Sequence, residues 1–165
     1  MSAPPREILY AIYSDILFIK LEGNIRYTRS SDFNRFIDQI FQDEGFNDIL
    51  FDLTESTGID STNLGLLVKV AKLMTKNYNK KTTIVSTCDE INEILLGLGF
   101  DKIFIIVSEQ DPIPENLHRI PEITETEKGT AKIMLEAHKR LMDLNEENVE
   151  KFKNVVEFLQ KELEE

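Results

Sequence analysis

The stretch FDLTESTGIDSTNLGLLVKV, Phe51 to Val70, decides the fold. A short apolar strand ends in an acid, Asp52, and a polar loop follows. Asp60-Ser61-Thr62 then places three helix-capping residue types in a row before a strongly apolar helix. Asp48–Leu53 reads as a continuous apolar strand, the kind covered on both faces in the middle of a parallel sheet. Over Ser61–Tyr78, Leu64, Leu66, Leu67, Val68, Val70, Ala71, Leu73 and Met74 cover most of the helix circumference near its start. Such a helix is either largely buried or keeps a second apolar face for another element.

Working outward, Ile8–Tyr13 and Ile16–Glu22 flank Ser14-Asp15, which predicts a hairpin closed by a tight turn and ended by Gly23-Asn24. Ser30-Ser31-Asp32 reads as the cap of a helix with Phe33, Phe36, Ile37, Ile40 and Phe41 on one face, stopped by Gly45. Downstream, Thr82–Ser86 is a strand, and Asp89–Leu98 a helix closed by Gly97 and Gly99. Ile103–Val107 is a further buried strand. The predicted class is α/β: a mostly parallel sheet with an N-terminal hairpin and flanking helices.

After Val107 the texture changes. Residues 111–129 carry Pro112, Pro114 and Pro121 without periodicity and read as a linker between a domain over 1–110 and a helical extension over 130–165. Met134, Ala137, Leu141 and Leu144 form one apolar series. Val149, Phe152, Val156, Leu159 and Leu163 form another, out of phase with the first. Asn145-Glu146-Glu147 reads as a cap between them. The expectation is a helical hairpin, with one phase-shifted helix as the alternative; Phe152 and Leu159 are expected to bury most. The seam can cover the preceding helix, the sheet domain or a second copy of the chain, so helix-mediated association stays open.

Composition excludes several classes. The chain has 165 residues, a net charge of -11, and is acidic on both sides of residue 125. No basic face is expected for nucleic acid or anionic membranes. No membrane span or secretory leader is read, and the single Cys88 fits a reducing, cytoplasmic setting. His118 and His138 have no Cys or His at ligand spacing, so no metal or cofactor is expected. Cys88, before Asp89 at a helix start, reads as a bystander thiol. Asp52, Glu55 and Asp60 could gather at one sheet edge, but no lysine is identifiable opposite them.

The element order and the segment ILFDLTESTGIDSTNLGLL together resemble the STAS domain, the fold of bacterial anti-sigma factor antagonists. Asp52-Leu53, Asp60, Ser61, Thr62, Leu64 and Gly65 match the family pattern of a strand ending in Asp-Leu, a short loop, and Asp-Ser-(Ser/Thr)-Gly-Leu-Gly opening a helix. Asn63 departs from it, standing where the family usually has Gly. The resemblance covers about residues 6–110, and the C-terminal helices are not part of the minimal family domain.

The resemblance implies a non-enzymatic switch. Ser61 would be the phosphoacceptor, and Asp60, Ser61, Thr62, Asn63, Leu64 and Leu67 the partner-binding surface, with Asp15 and Cys88-Asp89 bordering it. The implied partners are an anti-sigma factor that is also a serine kinase, bound by the unmodified form, and a phosphatase that restores that form. The alternative is a module of the same fold that regulates another signalling protein or enzyme. An enzyme using the acidic loop is the remaining class, but no base, nucleophile and oxyanion constellation is visible.

Physically, phosphate adds about -1.5 to -2 charges. Placed roughly 5 Å from one acid on a partner, it costs on the order of 6 kcal/mol at an effective dielectric of about 20. That is about four decades of affinity. The plain structural reading of Asp60 or Ser61 is a helix N-cap contributing about 1 kcal/mol.

Overall fold

The structure is a computed structural model and describes residues 7–109, 112 and 114–165. The strands are β1 (Glu7–Tyr13), β2 (Ile16–Ile25), β3 (Asp48–Asp52), β4 (Ser56–Ile59), β5 (Thr82–Val85), β6 (Phe104–Val107) and β7 (His118–Arg119). The helices are α1 (Ser30–Asp43), α2 (Ser61–Tyr78), α3 (Asp89–Gly97), α4 (Glu127–Met142) and α5 (Glu146–Glu164). The sheet order is β6-β5-β3-β2-β1-β7, with β4 pairing separately with β2. β1 and β2 are antiparallel, whereas β2-β3, β3-β5 and β5-β6 are parallel. The expected α/β class and N-terminal hairpin are therefore present.

The hairpin turns at Ser14 and Asp15, with φ of 50° and 64°. Two left-handed residues in succession are what a two-residue turn between twisted strands requires. Period-2 alternation then sorts the strands. Ile8, Leu17, Ile19, Leu21, Ile49, Phe51, Ile84 and Phe104 are buried on one side of the sheet. α1 packs there through Phe33, Phe36, Ile37 and Ile40, and the Phe33 ring meets Phe51 edge-on at 6.4 Å.

Several local features differ from the sequence reading. The polar loop after Asp52 holds β4, because Ser56–Ile59 pairs with the far end of β2. β2 runs on through Gly23, whose φ of 82° accommodates a shift in pairing register. Ser30, Ser31 and Asp32 lie inside the first turn of α1. Asp32 instead accepts the Ile123 N–H at 2.8 Å and pairs with Arg29 at 3.1 Å, so it ties down the later chain. α1 ends with Glu44 in the left-handed region, one residue before Gly45. Within the aperiodic segment, β7 adds to the free edge of β1.

α4 and α5 form a helical hairpin. Thr126 caps α4 through the Gly129 N–H at 2.9 Å, and Asn145 caps α5 through the Asn148 N–H at 2.8 Å. Leu135, Val156 and Leu159 make a small cluster of their own between the two helices. Leu159 is buried as expected; Phe152 is only half-buried, and Val156 fills the place expected for it. Among the described residues, no helix is long and apolar enough to cross a membrane.

Leu17 sits at the middle of the apolar sheet face. Leu17→Ala should lower the unfolding free energy by about 2–5 kcal/mol. Urea denaturation followed by circular dichroism checks this; an unchanged midpoint would mean that this face is not the core.

Candidate functional site at the start of α2

Chain geometry brings Ser61 to the end of the sheet where the parallel strands finish. β4 delivers Asp60, whose N–H bonds Ile25 O at 3.1 Å. Asp60 is extended, with φ -83° and ψ 170°, and is the N-cap of α2. Its Oδ1 accepts from the Asn63 backbone N–H at 3.0 Å and from the Asn63 side-chain amide at 2.9 Å. Ser61 is therefore the first helical residue, and the capping role expected of either residue falls to Asp60. Asn63 is fully buried, and its Oδ1 has no hydrogen-bond partner.

The other expected contact residues are covered. Thr62, Leu64, Gly65 and Leu67 are all buried. The apolar girth of α2 has a direct cause: one side lies toward the sheet and the opposite side lies under α4. Ser61, Gly65 and Lys72 share one helical face, at spacings of four and seven. Lys72 pairs with Asp143 at 3.6 Å. At Gly65 the two helices nearly touch, since a Cβ added there would stand 2.6 Å from the carbonyl carbon of Ala137. Only glycine permits that approach.

Ser61 itself is half-buried. Its Oγ lies 2.8 Å from His138 Nε2, so the hydroxyl expected to receive phosphate is turned toward α4. His138 is 3% exposed, and its Nδ1 lies 2.6 Å from Met134 O. A carbonyl can only accept, so Nδ1 carries a proton. When the ring is neutral, Nε2 is the acceptor and the Ser61 hydroxyl donates to it. The Phe152 ring stands edge-on to the imidazole at 5.5 Å. The pair has the spacing of a nucleophile and its base, but the group orienting the imidazole is a backbone carbonyl, where a hydrolytic triad has a carboxylate.

The remaining candidates scatter. The β1-β2 turn bearing Asp15 lies at the opposite end of the sheet, where Asp15 O accepts from Asn47 N at 2.8 Å before β3 begins. Asp15 therefore does not border Ser61. Cys88 does lie at the strand-exit end, as the residue before α3, half-buried against the core. Asp52 is buried and accepts from Thr54 N at 2.9 Å, while Glu55 pairs with Lys20. Among the described residues, no three acids, histidines or cysteines gather in a cluster able to hold a metal ion. The sequence reading passed over His138. Its signal was present: it follows Ala137 within the Met134-Ala137-Leu141 stripe, at the interior edge of an otherwise charged helix.

A mixed sheet opened by a hairpin, with an Asp-capped helix beginning at Ser61 at the strand exits, defines a class of α/β domain. The STAS domain family matches residues 7–119, and the chain belongs to it. The match ends before α4. No curated protein sequence matches the chain. Among solved structures, the chain is similar to a Thermotoga maritima protein described as an anti-sigma factor antagonist candidate, with 22% identity and a TM-score of 0.55 over 61% of this chain and 85% of that one. It is also similar to the unphosphorylated anti-sigma factor antagonist SpoIIAA, with 12% identity and a TM-score of 0.52 over 62% and 87%. An anti-sigma factor antagonist from Mycobacterium paratuberculosis aligns with 15% identity and a TM-score of 0.55 over 65% and 87%. At these identities the likeness is one of fold.

The cap geometry gives a stability prediction. Asp60→Ala leaves two Asn63 donors without their acceptor and should cost about 0.5–2 kcal/mol. Asp60→Asn retains an acceptor oxygen and should recover most of the loss. Thermal melts of both variants check this, and equal melting points for the two would show that Asp60 is not the cap.

Proposed function

We propose that this chain is an anti-sigma factor antagonist controlled by phosphorylation of Ser61. The observation that carries the reading is the position of that hydroxyl: first residue of α2, directly after an N-cap aspartate, at the strand exits of a STAS domain. Support comes from the relatives of the same fold, which are described as anti-sigma factor antagonists, one of them in an unphosphorylated form.

The chemistry suits the place. A partner kinase transfers the γ-phosphoryl group of ATP to Ser61 Oγ, the hydroxyl proton is lost and ADP leaves. The domain tolerates the product because backbone N–H groups and the helix dipole favour an anion at the start of α2. Asp60 already holds the Asn63 N–H, so the phosphate adds its charge without replacing the cap. A partner that recognises the neutral serine beside Asp60 then meets a cluster of negative charge. The unmodified chain binds the anti-sigma factor, the phosphorylated chain releases it, and a phosphatase resets the cycle in the cytoplasm.

Ser61→Ala should bind the partner constitutively and Ser61→Asp weakly. A pull-down from the native cell with each variant, with phosphopeptide mass spectrometry of the wild type, measures both. Recovery of a sigma-regulating kinase by Ser61→Ala supports the reading. Recovery of a different signalling enzyme favours the alternative of a STAS module with another target. Phosphate confined to other residues, with both variants binding like wild type, would sink the switch.

A further inference from the structure

The surface assigned to the partner is occupied by the chain itself. α4 lies outside the family match, yet it packs on α2, the helix that begins with Ser61. It touches the site at its two most specific points: His138 Nε2 shares a hydrogen bond with the Ser61 hydroxyl, and the Ala137 backbone fills the notch over Gly65. In this arrangement a phosphoryl group on Ser61 Oγ would stand where the buried imidazole is. A partner reaching for Ser61 and Gly65 would meet α4 first. We infer that the α4–α5 hairpin is a removable intramolecular cap, and that partner binding and Ser61 phosphorylation both require it to leave α2. The inference rests on the proposed role of Ser61.

Three observations make the hairpin a unit able to move. It has its own apolar cluster in Leu135, Val156 and Leu159, flanked by Ala131, Met134, Met142 and Leu163, so its two helices stay paired when displaced. It is joined to the domain through Thr124, Glu125 and Thr126, all exposed, while the preceding Ile123 is anchored to Asp32. Its far end is held by few polar ties: Asn145 and Asn148 to Leu98 O at 3.3 Å and 3.0 Å, Lys151 to Gly97 O at 3.2 Å, and the Asp143–Lys72 ion pair at 3.6 Å. The apolar side chains it shares with the domain core, Leu141 and the half-buried Ile133, Leu144 and Phe152, set the strength of the closed state.

The test reads the cap without any kinase. In the full chain with Cys88→Ser, Ser61→Cys places a single thiol under α4. Its rate with a thiol reagent such as dithionitrobenzoate is compared with and without Ala137→Glu, which puts a carboxylate into the Gly65 notch. The closed chain should react slowly and the Ala137→Glu chain at least about tenfold faster, because a modest shift in the closed-open equilibrium scales the reactive fraction directly. His138→Ala, a milder change, should fall between them. Sheet and helix signals in circular dichroism should persist in all three.

Equal rates in the three chains would overturn the cap. So would global unfolding of both Ala137→Glu and His138→Ala, which would make the hairpin an integral part of the core. In the native cell, chains keeping Ser61 should carry more phosphate there when Ala137→Glu opens them. If the thiol rates separate as expected but neither chain is phosphorylated, the cap stands and the phosphorylation reading falls.

Discussion

Everything at the functional end of this molecule depends on the contact between Gly65 and the backbone of Ala137. A helix pair normally keeps its axes apart by the bulk of two side chains. Here one side chain is missing, and α4 comes down onto α2 until the Ala137 carbonyl faces bare helix backbone. That approach brings His138, the next residue, within 2.8 Å of the Ser61 hydroxyl one turn earlier on α2. It also explains why α2 is buried around almost its whole girth near its start, although the sheet can cover only one side. Gly65 belongs to the family pattern at the start of this helix, and the same glycine serves here as the seat of the extension.

The hydrogen bond at the end of this contact couples two otherwise separate matters. A neutral imidazole with its Nδ1 proton committed to Met134 O has one open lone pair, and the serine hydroxyl satisfies it. Removing the hydroxyl leaves a buried acceptor unmet; enlarging it displaces the ring. The chemical state of Ser61 and the docking of α4 are therefore linked, and linkage is reciprocal: whatever favours a free α2 favours access to Ser61 by the same factor.

Much of the fold could be read from residue order because its determinants are local. The Ser14-Asp15 turn, the stripe of α1, the apolar runs of β3 and β6 and the cap at Asn145 each follow from neighbours in sequence. The features that escaped are those made by distant partners. β4 is too polar to announce itself and exists because the end of β2 offers it a pairing edge. Asp32 looked like a cap and became an anchor for Ile123. At the site, the Asp60-Ser61 pair stood out through its residue types. His138 did not, because a single histidine among charges acquires meaning only when α4 is laid across α2, seventy-seven positions away in the chain.

Asn63 shows how the start of α2 is secured within the domain. A glycine there would leave the first turn of α2 bare. The asparagine instead turns its amide back onto Asp60, so that one carboxylate oxygen holds both the backbone and the side chain of the third helical residue. The cost is a carbonyl oxygen buried without a partner. Such a group costs stability relative to a helix start in which every polar atom is satisfied. The helix start is thus held by Asp60, and Asn63 lies on the side of α2 turned away from Gly65 and α4. Ser61 therefore stands on a support fixed by the domain's own residues, and the fit of α4 over Gly65 is a separate matter.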